Sequence, residues 1–204
     1  MKYLVYFQMD VKNKTVLVKI IFLFILLYSS QNLLSQTSIK EYDQELKTYG
    51  FNDPNPIPIF ISNDKIYPYF SFDGYNISSS DKKFKVIELE NDHIKVLVTP
   101  ELGGKVWGAI EKSTGEEFIY KNEVVKFRNI AMRGPWTSGG LEFNFGDIGH
   151  APSCSTPVDY SLKKNADGSV SCIVGAYDLP SRTRWNVKIT LPKDKAFLET
   201  TVSW

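Results

Sequence analysis

The sequence has no excess of charge of either sign: 24 basic residues stand against 23 acidic ones, for a formal net charge of +1. No basic run follows the N-terminal segment, so there is no electrostatic footprint for nucleic acid and none is expected as a partner. Cysteine is scarce, with only Cys154 and Cys172, and neither has metal-ligand spacing. The chain contains no Gly-rich phosphate loop, no nucleophile elbow and no HExxH stretch, so neither a cofactor nor a metal is expected. It also lacks an apolar run of the roughly 20 residues needed to span a bilayer.

A shorter apolar run is present. Lys12, Lys14 and Lys19 precede the stretch Ile20-Ile21-Phe22-Leu23-Phe24-Ile25-Leu26-Leu27-Tyr28, and Ser29 and Ser30 follow. A basic stretch, a short apolar stretch and then small residues form the pattern of a secretory signal. Residues 1–35 are therefore expected to be a signal peptide, with translation able to start at Met9 and cleavage near Ser35 or Gln36. Such a protein is exported to the periplasm, the cell surface or the medium, with no stable membrane span after cleavage. The competing possibility is an uncleaved membrane anchor. In an oxidising compartment Cys154 and Cys172 either pair, closing a loop worth on the order of 3 kcal/mol, or remain two buried thiols.

The remainder reads as strands. Residues 36–60 carry mixed charge and then prolines (Pro54, Pro56, Pro58), and are expected to form an N-terminal arm or short helix followed by a connector. From there to residue 204 apolar residues recur with a period of two. Phe84–Glu90 and His93–Thr99 alternate around a turn at Asn91-Asp92, and Ile94, Val96 and Val98 share one face. Lys105–Glu111 puts Val106, Gly108 and Ile110 opposite Trp107 and Ala109. Asp167-Gly168 lies between two alternating runs and predicts a hairpin, because both positions tolerate positive φ. Arg182–Leu191 puts Trp185, Val187, Ile189 and Leu191 on one face and Arg184, Asn186 and Lys188 on the other. No helical period appears after residue 50, and the expectation is an all-β antiparallel sandwich. The last alternation, Leu198, Thr200, Val202, Trp204, has no turn or polar tail after it. An open apolar edge invites aggregation, so the domain over 61–204 is expected to be incomplete at its C-terminus; the alternative is a final strand that docks fully.

The segment richest in chemistry is Arg128–His150 (RNIAMRGPWTSGGLEFNFGDIGH). Its centre, Gly139–Gly146, reads as a strand between glycines, with Leu141, Phe143 and Phe145 inward and Glu142 and Asn144 together on the opposite face. Trp136 precedes it, His150 follows, and Arg128 and Arg133 lie upstream. Carboxylate, amide, guanidinium, imidazole and indole are groups that saccharides meet: polar groups exchange hydrogen bonds with hydroxyls, and an indole face covers the C–H face of a ring. The competing reading leaves Glu142 and Asn144 in solvent, Arg133 paired with Glu142, and Trp136 in the core. Arg182 and Arg184 are weaker candidates for a sugar or anion, and His93 reads as a surface residue.

These residues also carry a resemblance. Val98-Thr99-Pro100-Glu101-Leu102-Gly103-Gly104-Lys105-Val106-Trp107, followed by Ser113-Thr114-Gly115-Glu116-Glu117, resembles the opening of galactose-mutarotase-like β-supersandwich domains. Gly134-Pro135-Trp136, Gly139–Phe145 and Gly149-His150 are similar to an uncharacterised bacterial domain family of that superfamily, whose members often precede tetratricopeptide repeats in large exported proteins. The likeness runs from Phe84 to Trp204. It implies a supersandwich that binds carbohydrate on the concave face of a large sheet. Mutarotases use a histidine as acid and a glutamate as base, with an arginine and a second histidine on the sugar, and here His150 and Arg133 match the binding positions. The mutarotase base lies in the C-terminal part of the domain, beyond Trp204, and Glu142 occupies a different place. The resulting expectation is an exported domain that binds or processes mono- or oligosaccharides. Glu142 and His150 would be its catalytic pair if it is a glycoside hydrolase or an epimerase-like enzyme, and Arg133, Trp136 and Asn144 its substrate contacts. The alternative is a non-catalytic structural or interaction module of a tetratricopeptide-containing surface or periplasmic protein.

Overall fold

The computed structural model describes residues 19, 36–50, 58–59, 69–70, 76–129, 135–145, 150, 152–178 and 181–204. The chain divides into two units, Met1–Ser35 and Gln36–Trp204, and every strand belongs to the second. The expected signal segment, apart from Lys19, and most of the Pro-rich connector lie outside the described residues. Among the described residues no helix is long and apolar enough to cross a membrane.

The second unit is all-β, as its period of two predicts. Its first nine strands are β1 (Ser38–Tyr49), β2 (Pro58–Ile59), β3 (Tyr69–Phe70), β4 (Ser80–Glu90), β5 (Ile94–Thr99), β6 (Lys105–Glu111), β7 (Glu117–Ile119), β8 (Val124–Asn129) and β9 (Pro135–Thr137). Then come β10 (Asp159–Lys164), β11 (Val170–Asp178), β12 (Thr183–Leu191) and β13 (Glu199–Ser203). Two 3-10 turns, Pro100–Leu102 and Pro152–Ser155, lie between them. A seven-stranded sheet has the order β7-β6-β5-β4-β1-β8-β9, and a four-stranded sheet the order β10-β11-β12-β13. β2 and β3 pair with each other. The pairings are antiparallel except for β1 with β8, which is parallel.

The two large sheets pack face to face. Ile87, Leu89, Val96 and Val98 of the first meet Cys172, Val174, Val187 and Ile189 of the second in one buried cluster. Each fully buried aliphatic side chain there contributes roughly 1.5–3 kcal/mol by leaving water. Asn91 also ties the sheets: its Oδ1 accepts from the amides of His93 and Ile94, while its Nδ2 donates to the carbonyls of Pro192 and Lys195, both at 2.8 Å. A second buried cluster lies on the other face of the first sheet, where Phe84, Val86, Leu97, Trp107 and Val125 meet. A flat sheet would leave that face in water. Curling of the sheet covers it, and β9, seventh in order, comes back to β6, second in order, through hydrogen bonds from Lys105 to Thr137.

Two expectations change here. Thr37–Tyr49 is neither an arm nor a helix: Ser38–Tyr49 is β1, inside the seven-stranded sheet and upstream of the expected domain start at 61. Opposite charges across the ladder account for it, with Lys40 Nζ 3.1 Å from Glu88, and Lys85 Nζ 2.6 Å from Asp43 and 3.5 Å from Glu41. In β6, Val106 and Ala109 belong to the inter-sheet core while Trp107 belongs to the second cluster. The pairing steps from Leu97↔Gly108 to Val98↔Val106, so Trp107 is an extra residue, and this bulge resets the expected alternation.

Other local signals hold. β10 and β11 form the Asp167-Gly168 hairpin, with Gly168 at φ 84°. Trp185, Val187, Ile189 and Leu191 are all buried. β13 is an exposed edge strand, and Val202 and the following Trp204 are exposed.

Candidate functional site

The candidate site is built at the end of β9 and in the segment after it. In the β8–β9 ladder Phe127 faces Thr137 and Arg128 faces Trp136. Thr137 is buried and Phe127 packs on the Trp107 cluster, so Trp136 and Arg128 share the opposite, outward face.

Two glycines then turn the chain back towards β6. Gly139 and Gly140 have φ of 83° and 73°, the left-handed region. A Cβ on Gly140 would lie 2.3 Å from the carbonyl oxygen of Val106, so a side chain there would push the segment off the strand. This close approach lets Leu141 exchange two backbone hydrogen bonds with Val106, at 2.8 and 3.1 Å. The loop is held from the other side as well. Gly140 N–H donates to Tyr120 O, and Asn122 Nδ2 donates to Ser138 O, both at 2.8 Å.

The segment after Gly140 is not the regular strand its pattern predicts. It makes a single bridge, at Leu141, and residues 142–145 belong to no ladder. Leu141 is 40% exposed rather than inward, whereas Phe143 and Phe145 do pack on the inter-sheet core, Phe145 stacking on Trp185 at 6.4 Å. Glu142 and Asn144 project together, and both engage His150. The Glu142 Oε1 lies 2.8 Å from His150 Nδ1, and Asn144 Oδ1 accepts the backbone N–H of His150. His150 has φ 58°, a left-handed conformation that histidine adopts more readily than most side chains, and the Asn144 bond fixes it. With an ionised carboxylate as acceptor, Nδ1 carries the proton, which sets the tautomer of the ring. Trp136 meets the imidazole edge-on, with centroids 5.9 Å apart and planes at 78°. Trp136, Glu142, Asn144 and His150 thus form one cluster.

Beneath the cluster lies a residue that the sequence pattern did not single out. Lys105, 1% exposed, donates through Nζ to Thr137 O at 2.8 Å, to Thr137 Oγ1 at 2.9 Å and to Gly139 O at 3.2 Å. Burial pushes its ammonium pKa down, and the charge of Glu142 opposes that shift. One signal was available: the strand period puts Lys105 on the same face as Trp107, and a lysine on an apolar face needs partners.

The other candidates stand apart. Arg133 lies outside the described residues, as do Gly146 and Gly149. Arg182 is not part of β12 but of the preceding turn, with φ 56°, while Arg184 on β12 sits 6.0 Å from the Tyr177 ring centroid and borders an open cavity of about 250 Å³. His93 is exposed in the bend before β5. Cys154 and Cys172 are buried thiols not joined by a bridge, and burial holds both thiol pKa values up, that of Cys172 at about 12. Among the described residues no group of three or more His, Cys, Asp or Glu is placed to hold a metal.

Comparison with known proteins places the chain in a family. A crystal structure of a TPR-domain containing protein from Parabacteroides distasonis is similar, with a TM-score of 0.74 and 27% identity. The likeness covers 83% of this chain and 29% of that one, so the chain spans less than a third of that protein's length. Residues 62–204 match the family described as a domain of unknown function, DUF5107, and β4 to β13, including the whole cluster around His150, fall within the match. The chain belongs to the DUF5107 family.

Proposed function

We propose that this chain is an exported carbohydrate-recognition domain of the galactose-mutarotase-like kind, with its sugar site at Trp136, Glu142, Asn144 and His150. The observation that carries the proposal is the convergence of an indole, a carboxylate, an amide and an imidazole, with Glu142 Oε1 2.8 Å from His150 Nδ1 and the indole 5.9 Å from the imidazole. An aromatic wall beside a few fixed polar groups is the usual composition of a small-ligand site. The curled seven-stranded sheet backed by a second sheet fits a supersandwich. Arg128, across the ladder from Trp136, supplies a guanidinium on the same face.

Recognition is favoured over hydrolysis. Cleavage of a glycosidic bond ordinarily uses two carboxyl groups about 5–9.5 Å apart. Among the described residues the cluster holds one, Glu142, and that one is engaged with His150. Basic residues preceding the apolar run Ile20–Tyr28 support export. A secreted product whose mass corresponds to a start near Gln36 is the expected result, and a cytoplasmic full-length chain would refute it.

Screening the folded chain on an array of mono- and oligosaccharides tests the site. Trp136→Ala and Glu142→Gln are each expected to weaken binding of the sugars it retains by roughly 10- to 100-fold, the range of an interface hot spot, with the melting temperature little changed. Failure of the folded chain to retain any sugar would sink the proposal.

A second reading has its own support. The similar structure belongs to a TPR-domain containing protein of which this chain covers 29%. That favours a structural or interaction module within a larger surface or periplasmic protein, and an empty sugar array would leave this reading standing.

A further inference from the structure

Lys105 links the sheet core to the cluster. Its Nζ has three N–H groups, and the three bonds to Thr137 O, Thr137 Oγ1 and Gly139 O use them all. Each acceptor is neutral, so the charge is buried without a carboxylate in contact among the described residues. A buried, unpaired ammonium is costly. A strut between β6 and β9 does not require one, because a neutral hydroxyl or amide could bridge the same backbone. What the ammonium adds is three donors at one point, where a hydroxyl supplies one and an amide two, and a charge that the Glu142 carboxylate favours.

The connections run straight into the cluster. Thr137 follows Trp136 directly, and Gly139 stands three residues before Glu142. Within the Glu142 carboxylate, Oε1 meets His150 while Oε2 is buried with no donor among the described residues.

We propose that Lys105 is a positioning residue of the Trp136–Glu142–His150 cluster: its three hydrogen bonds clamp the Thr137–Gly139 step to β6, and that clamp fixes Trp136 and the segment that sets Glu142 beside His150. This rests on the cluster being a site, but its test does not depend on a sugar being found.

The full chain, 15N-labelled, reports the state of the His150 ring through its two nitrogen resonances. In the unaltered protein Nδ1 should show the signature of a hydrogen bond to carboxylate. Lys105→Met keeps the length of the stem and removes the charge and the three bonds. It should erase that signature and weaken binding of any sugar retained on the array by about tenfold, the range for a hydrogen-bonded charge, while the core methyl spectrum stays native. Thr137→Val removes one of the three bonds and leaves the charge; a smaller displacement of the same resonances is expected. A folded Lys105→Met protein with unchanged His150 resonances would reduce Lys105 to a strut and overturn the proposal. If Lys105→Met does not fold, Thr137→Val decides: displaced resonances uphold the role and unchanged ones refute it. Displaced resonances in a protein that binds no sugar would uphold Lys105 as positioning residue while the carbohydrate reading fails.

Discussion

Trp107→Ala should lower unfolding free energy by about 3–5 kcal/mol, the range for deleting a large buried aromatic. Trp107 is 1% exposed and lies among Phe84, Val86, Leu97 and Val125, where neighbours on several strands of the curled sheet limit collapse into the space left behind. Lys105 Nζ lies 6.0 Å from the indole centroid, so the loss should also loosen the floor beneath the candidate site. Trp107→Phe should cost clearly less. The indole N–H is buried without a partner among the described residues, and removing it takes away an uncompensated donor along with some volume. Urea denaturation of the three proteins measures both effects. A loss below about 1 kcal/mol for Trp107→Ala, well under the cavity range, would mean that the second cluster is not a packed core.

The second large effect is alkaline. Cys172 sits in the inter-sheet core on β11, fully buried, and burial alone raises its thiol pKa from 9.0 to about 12. The sign follows from proton uptake. Between those two values the unfolded chain has lost the thiol proton and the folded chain keeps it, so each rise in pH favours unfolding. Stability from this group is fully present below pH 9 and is lost as pH rises towards 12. At 1.36 kcal/mol per pH unit the gap corresponds to about 4 kcal/mol. Lysine and tyrosine also titrate in this range, so the comparison must be internal. Cys172→Ala is expected to start less stable than the unaltered protein at pH 8 and to lose stability less steeply above pH 9, closing the difference. Parallel pH curves for the two proteins would show that the thiol does not titrate on unfolding in this way.

The two cysteines illustrate what sequence leaves open. Their spacing was compatible with either a bridge or two buried thiols. Cys154 lies in the Pro152–Ser155 turn under Gly103, where a Cβ on that glycine would come 2.3 Å from the Cys154 carbonyl oxygen. Cys172 is in the middle of β11. Only the packing of that turn against the sheet decides between the alternatives.

The cluster was partly legible for a related reason. Glu142, Asn144 and His150 lie within nine residues, and alternation alone put the carboxylate and the amide on one side. Their joint engagement of His150 follows from that short range. The regular strand did not follow, because β6 offers pairing only at Val106, and the glycine turn brings Leu141 there and no further.

What the sequence by itself determined is local. The period of two, the Asp167-Gly168 hairpin, the buried face of β12 and the neighbourhood of Glu142 and Asn144 all arise from contacts a few residues apart, where backbone geometry dictates which way side chains point. The tertiary structure decided the rest. A mixed-charge segment becomes β1 because Glu88 and Lys85, more than forty residues away, meet its charges. Ala109 leaves the face of Trp107 for that of Val106 through a bulge that exists only in the pairing of β6 with β5. Lys105 reaches Thr137 across 32 residues because the first sheet curls to cover its second face. Chain closure over such distances is directed by burial of that whole face, a property of many strands together, and no single stretch of sequence carries it.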